Sequence, residues 1–209
     1  EVADGDWDYL GADNATGARL ATEHLLAQGH RRIAFFGGSR TSSSFRQRTD
    51  GYRAALAEAG VTLEPQWIVE CPPTRIAASL ATAALFARDP APTAVVAYND
   101  GVAFGLMMGL RARNIAPGRD FAITGFDDTP EACAQVPTLT TLATGPRALG
   151  RQAVDIVLER GRAPDAPRRT TIAPVHLVER ASSLTYAHAP GEQHAGTARP
   201  RARGRSAPA

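Results

Sequence analysis

The chain has 209 residues, of which 44% are hydrophobic and 21% charged, with a formal net charge of +2. That composition supports a real core. It excludes a membrane-spanning helix, since no apolar run approaches the roughly 18 residues such a helix needs, and the nearly neutral body excludes a broad nucleic-acid face.

Residues 1–4 are acidic and lack the apolar run of a signal peptide, which points to the cytoplasm. Residues 14–28 read as a helix, with Asp13 or Asn14 as its cap and Gly29 just past its end. A strand follows at 31–37 (RRIAFFG), then a helix over 45–59 that stops at Gly60. The next pair is a strand at 66–70 and a helix over 74–88, ended by Pro90. A third pair is the strand 93–98 and the helix 100–113, and a strand at 120–125 completes the series. These strands are apolar on both faces, as parallel strands covered on both sides must be. Strand and helix alternating this regularly predict a doubly wound α/β sheet with right-handed crossovers over 12–138.

After Pro137 the rhythm changes. Residues 138–143 are extended, and 147–160 form a helix bracketed by Gly145-Pro146 and Gly161. Residues 170–178 are β-rich but interrupted by Pro174. All 23 basic residues of the chain are arginines. Four of them, Arg199, Arg201, Arg203 and Arg205, lie beyond Leu184 among Ala, Pro and Gly, a composition that reads as a disordered basic tail.

In an open parallel sheet, ligands bind beyond the C-terminal strand ends. Three of the four predicted exits carry polar groups: Gly37-Gly38-Ser39 with Ser42, Ser43 and Ser44; Asn99-Asp100; and Phe126-Asp127-Asp128. Hydroxyls, amides and carboxylates around one crevice suit a polyhydroxylated ligand, whose hydroxyls both donate and accept. Arg48, on the first turn of its helix, can reach the same crevice. Polar residues also collect at strand exits simply as helix caps, and Asp100 has that alternative reading. Asp127 reads more as a turn residue than as a helix start.

Catalytic patterns are missing. His24, His30, His176, His188 and His194 have no metal-ligand spacing. There is no Gly-x-Ser-x-Gly elbow, no lysine for a P-loop and no dinucleotide fingerprint. Cys71 and Cys133 form no redox or metal motif and read as two reduced core thiols, with a disulfide between them as the alternative. The expectation is a protein that is not an enzyme and needs no cofactor or metal.

Several short motifs occur in a fixed order: Asp13-Asn14-Ala15-Thr16-Gly17-Ala18, Gly29-His30-Arg31-Arg32-Ile33-Ala34, Arg48-x-x-Gly51-Tyr52, Asn99-Asp100-x-x-Ala103-x-Gly105, Gly125-Phe126-Asp127-Asp128, Pro137-x-Leu139-Thr140-Thr141 and Leu177-Val178-x-Arg180-x-Ser182. In that order the chain resembles the ligand-binding core of the lactose/galactose-repressor family of transcription regulators. The resemblance implies a type I periplasmic-binding-protein-like fold, with one nearly complete subdomain and part of a second. Residues 1–12 would end an N-terminal sensing subdomain, and 13–140 would form the C-terminal, effector-binding one. Residues 141–174 would return to the N-terminal subdomain, 175–183 would be the return strand, and 184–209 the tail.

The resemblance further implies effector contacts from Ser42, Ser44, Arg48, Asn99 and Asp127, and a dimer surface including Phe104, Met107 and Met108. The partners it implies are a sugar or related polyol or glycoside, a second copy of the chain, and operator DNA read by a helix-turn-helix segment preceding Glu1. Part of the N-terminal subdomain would precede Glu1 as well, which predicts an uncovered apolar face (Leu149, Val154, Val157, Leu158) on the helix near 147–160. The alternative on the same fold is a sugar-binding protein that serves a transporter.

Overall fold

The computed structural model describes residues 7–87 and 89–184. The chain runs β1 (Tyr9–Ala12), α1 (Asn14–Ala27), β2 (Ile33–Phe36) and α2 (Ser43–Glu58). A single 3₁₀ turn at Pro65–Trp67 leads into β3 (Ile68–Val69), followed by α3 (Arg75–Ala81) and α4 (Ala83–Phe86). Then come β4 (Ala94–Ala97), α5 (Asp100–Arg111), β5 (Ala122–Thr124), α6 (Pro130–Ala134), β6 (Thr141–Ala143), α7 (Pro146–Arg162), β7 (Thr170–Ala173) and β8 (His176–Val178).

The central sheet is parallel, in the order β3-β2-β4-β5. Its side chains alternate between two apolar layers, as the two-residue period of a strand requires. Ile33, Phe35, Ala94, Val96 and Ala122 pack toward α1 and α2 with Leu25, Tyr52 and Leu56. Ala34, Phe36, Val95, Ala97 and Ile123 pack toward α3, α4 and α5 with Leu85, Leu106 and Leu110. The result is the expected doubly wound, three-layer arrangement. Close helix packing on the first face depends on Gly51: a Cβ there would stand 2.0 Å from the backbone oxygen of Ala15 in α1.

Several local features differ from the sequence expectation. The helix predicted over 74–88 breaks at Thr82, whose Oγ1 donates back to the Ala78 carbonyl at 3.0 Å, a competition with the helix ladder that bends helices. The strand β1 and the short helix α6 were not anticipated. Cys71 is buried as expected, but Cys133 is exposed, because it lies on the outer side of α6.

Beyond β5 the segment 140–142 runs alongside the strand end: Gly125 N–H donates to the Thr140 carbonyl and Asp127 N–H to the Leu142 carbonyl, both at 2.8 Å. β6 then pairs with β8 in antiparallel register. β1 and β7 form a separate two-stranded parallel sheet. α7 lies against β1 and buries no residue. Val154, Val157 and Leu158 are more than half exposed, as the sequence predicted, whereas Leu149 is half-buried.

The expected dimer residues divide in the same way. Phe104 and Met107 are corrected, because they point into the layer between α5 and the sheet and are buried. Only Met108 stands on the surface.

Candidate functional site

The parallel sheet directs every strand exit to one rim. Two helices start there under side-chain control. Asp13 caps α1 by accepting from Thr16 N–H at 3.0 Å, which frees Asn14 for another partner. Asn99 caps α5 by accepting from Val102 N–H at 2.9 Å. The cap reading considered for Asp100 is therefore corrected: Asn99 does the capping, and Asp100 is the first residue inside the helix.

Arg48 is the centre of the rim. It lies on the second turn of α2, further along than the sequence suggested, and is buried. Its Nε donates to Asn14 Oδ1 at 2.8 Å, and its Nη1 donates to the Tyr98 carbonyl. Asn14 in turn donates from Nδ2 to Gln47 Oε1 at 2.8 Å. The guanidinium lies 3.6 Å from the ring centroid of Phe126 and 4.8 Å from that of Tyr98, an arrangement that suits a flat, weakly hydrated cation. Nη2 has no hydrogen-bond partner among the described residues. Burial pushes the Arg48 pKa down, while Asp127, Tyr98 and Asp100 push it up.

Asp127 faces this cation from the end of β5. Its carboxylate forms no hydrogen bond among the described residues. Burial pushes its pKa up to about 6; the nearby Arg48 charge opposes the rise and Asp100 adds to it. Its φ is 115°, and that of Asp128 is 50°, so two successive side-chain-bearing residues sit in backbone territory that L residues rarely adopt. Beneath them Asp100 is fully buried. Its Oδ2 accepts from Thr129 N–H (2.8 Å) and Thr129 Oγ1 (3.0 Å), and its Oδ1 accepts from Thr141 Oγ1. Burial raises the Asp100 pKa against these bonds. Gly125 allows the close approach, since a Cβ there would stand 2.4 Å from Asp100 Oδ1.

The remaining expected contacts border the same rim. Ser42 precedes α2, and its hydroxyl lies 3.4 Å from that of Tyr98. Ser44 is half-buried on the first turn of α2. Arg48 and Asp127 are thus brought into electrostatic contact, with Asn99 and Ser42 at the neighbouring exits. Sequence reasoning missed Asn14, Tyr98, Phe126 and Thr141. The usable signal for Asn14 was the Asp13-Asn14 pair, because only one of two adjacent residues can cap one helix.

Chemically the rim offers one unpaired guanidinium N–H group, a free carboxylate, an amide and hydroxyls between two aromatic rings. It can accept from and donate to neutral hydroxyls. Among the described residues no cluster has metal-ligand character, and no helix is long and apolar enough to cross a membrane. Two clefts of about 350 and 340 Å³ lie elsewhere. One is between β1 and α7 and lined by Trp7, Tyr9, Ile156 and Val157; the other is beside Glu159, Pro167 and Arg169. Neither touches the rim.

Residues 22–183 match the periplasmic binding protein-like domain family. The chain is 35% identical over 173 residues to the HTH-type transcriptional repressor PurR of Vibrio cholerae, an alignment covering 83% of this chain and 52% of that protein. Among solved structures, a LacI family transcriptional regulator from Enterococcus faecium with bound ribose superposes with a TM-score of 0.78 at 28% identity, covering 87% of this chain and 66% of that one. A complex of the transcriptional regulator CelR with cellobiose superposes at 0.81, again with 28% identity, over 85% of this chain and 54% of that one. The chain spans about half the length of the curated relatives it matches. The fold, the order of motifs and these matches agree: the chain belongs to the periplasmic binding protein-like domain family, in the form carried by LacI-type transcription regulators.

Proposed function

We propose that this chain is the effector-sensing part of a cytoplasmic LacI-type regulator, and that it holds a small sugar or related polyol at the rim without transforming it. The observation that carries the reading is the pairing of a buried, prepositioned Arg48 with the unbonded carboxylate of Asp127. A neutral diol satisfies both: one hydroxyl accepts from Arg48 Nη2 and another donates to Asp127. Asn99 and the hydroxyls of Ser42 and Ser44 complete the ring of contacts. The sugars named with two structural neighbours, ribose and cellobiose, support this ligand class.

In this reading the parallel-sheet body, 13–140, forms one wall of the site. Residues 1–12 and 141–174 belong to the opposite subdomain, 175–183 return from it, and 184–209 form a tail that lies mostly outside the described residues. Ligand binding biases the closure of the two subdomains, and closure alters how a DNA-reading segment elsewhere in the protein engages its operator. Only a difference in affinity between the two states can do this.

We place the homodimer surface on α3 and α5. Ile76 and Leu80 on α3, Met108 on α5 and, beside them, Val136 in the segment after α6 are all exposed. The Arg75–Glu131 ion pair (2.6 Å) and the bond from Arg111 to the Val136 carbonyl join the three segments into one surface. An apolar patch of this kind is what subunit contacts use.

A thermal-shift panel of pentoses, hexoses, ribose and cellobiose tests the ligand reading, because a ligand that binds the folded state raises Tm. At least one neutral sugar is expected to raise Tm in the parent and not in Asp127→Ala. An equal rise in both proteins would remove Asp127 from the site, and no rise with any sugar would remove the ligand class.

A further inference from the structure

The loop carrying Asp127 is held at both its ends by α5, through Asp100 bonded to Phe126 and Thr129, and in its middle from a different side. Asp127 N–H donates to the Leu142 carbonyl at 2.8 Å and Asp128 N–H to Thr141 Oγ1 at 3.4 Å. The Asp128 carboxylate meets Arg180 Nη2 at 2.7 Å, with both side chains less than a third exposed. Arg180 also donates from Nη1 to the Leu139 carbonyl at 2.8 Å, and its backbone N–H donates to Thr140 Oγ1 at 2.8 Å. Thr140 Oγ1 lies 2.7 Å from Ser183 Oγ, which is 2.8 Å from His24 Nε2 in α1. Apart from His24, these anchors lie on residues 139–142 and 180–183, at one end of the β6–β8 pair, through which the chain passes between the main sheet and the β1–β7 sheet.

We propose that Asp128 and Arg180 form a latch that holds the strained Asp127 loop in its ligand-accepting shape and ties it to the two crossing segments. Asp128 and Arg180 are then positioning residues, and the inference rests on the reading of Asp127 as a ligand contact. The physical case is one of strain and sources of order. Two successive non-glycine residues at positive φ cost free energy and persist only where the surroundings over-determine them. The loop lacks a glycine at either position, so its shape must come from partners. Among the described residues, the ion pair is the charged contact that Asp128 itself makes, and it sits in a half-buried setting, where it is screened less than a surface pair. When the carboxylate of Asp127 engages a ligand, any shift of the loop acts on Leu142 directly and on Arg180 through Asp128, so both crossing segments feel the occupancy of the site. The charge facing the pair is Asp100 from α5, whose pKa the Asp128 charge raises; among the described residues Arg180 is the charged group in contact with the Asp128 carboxylate.

The experiment compares the parent chain with Asp128→Asn, Arg180→Gln and the double variant, without ligand. Amide hydrogen exchange by NMR reads the Asp127 N–H and the β6–β8 amides, and ¹³C carboxyl titration reads Asp127. The latch predicts exchange at Asp127 about tenfold faster in each single variant. It predicts no further change in the double variant, since the two residues act as a unit, a displaced Asp127 titration midpoint, and amides of β2 and β4 that exchange at the parent rate. Parent-like Asp127 exchange or an unmoved midpoint in both single variants overturns the proposal. So does equal acceleration across β2 and β4, which would make the pair a general stabiliser. The outcome does not depend on which sugar binds: failure of the ligand reading appears in the thermal-shift panel, and failure of the latch appears here.

Discussion

The guanidinium carbon of Arg48 stands 3.6 Å from the centre of the Phe126 ring, in the loop that also carries Asp127. The contact joins α2 to the exit of β5, so the cation and the carboxylate of the candidate site are oriented by one packing event. Lysine cannot reproduce it, because an ammonium cannot bond Asn14 and Tyr98 as a planar fork while stacking on a ring. Arg48→Lys should weaken binding of the sugar that stabilises the parent by ~2 kcal/mol, about 30-fold, the usual scale for a lost charged hydrogen bond. Isothermal calorimetry checks it, and parent-like affinity would remove Arg48 from the ligand contacts.

Asp127 should set stability and affinity against each other. Its pKa in the folded protein, about 6, lies above the ordinary 3.8. Between those values the native state holds a proton that the unfolded state has lost, so this group's contribution falls as pH rises from about 4 to 6 and stays reduced above. Asp127→Asn should therefore stabilise the protein at pH 8, by ~1–2 kcal/mol once partial solvent access is allowed for, and leave it unchanged at pH 4. Parent ligand affinity should decline as pH drops through 6, where the acceptor is neutralised. Calorimetric scans at both pH values and binding titrations across that range read the two signs separately.

Gly51 offers a test of the fold alone. The neighbour that an added methyl would meet is backbone, the Ala15 carbonyl of α1, and cannot swing aside. Gly51→Ala should cost ~1–3 kcal/mol, the range for overpacking. In urea the midpoint should fall with an unchanged slope. A parent-like midpoint would mean that α1 and α2 separate without cost.

The proposed dimer surface makes a different kind of prediction. Leu80 is exposed on α3, so a charge there leaves the monomer core untouched. Leu80→Glu should convert the sedimenting species from dimer to monomer while its far-UV circular dichroism stays the same. A parent chain that sediments as a monomer at every concentration would move the interface elsewhere.

The sheet was legible because its strands announce themselves twice, through unbroken apolar runs such as 33–36 and 94–97 and through the capped helices between them. β1 escaped notice because Tyr9–Ala12 is short and only half-buried, with its partner β7 far along the chain. At the site, Asp127 and Arg48 were readable as charged residues near strand exits, but their juxtaposition is a tertiary fact. Tyr98 and Phe126 look like core residues in a one-dimensional pattern, and only their position just past a strand end gives them a second role. Phe104 and Met107 failed for the converse reason: α5 is apolar all round, so periodicity could not say which side faced inward.

The attachment of α7 has a practical corollary. Helices of this length draw most of their stability from the apolar stripe they cover, and α7 buries no residue, being tied to the residue before β1 by the Arg160–Asp8 pair at 2.8 Å. It is the stretch that should open first, far below the free energy that unfolds the sheet. With Arg147, Arg151 and Arg162 along it, brief trypsin treatment should nick this helix and leave a resistant body built on α1 to α5.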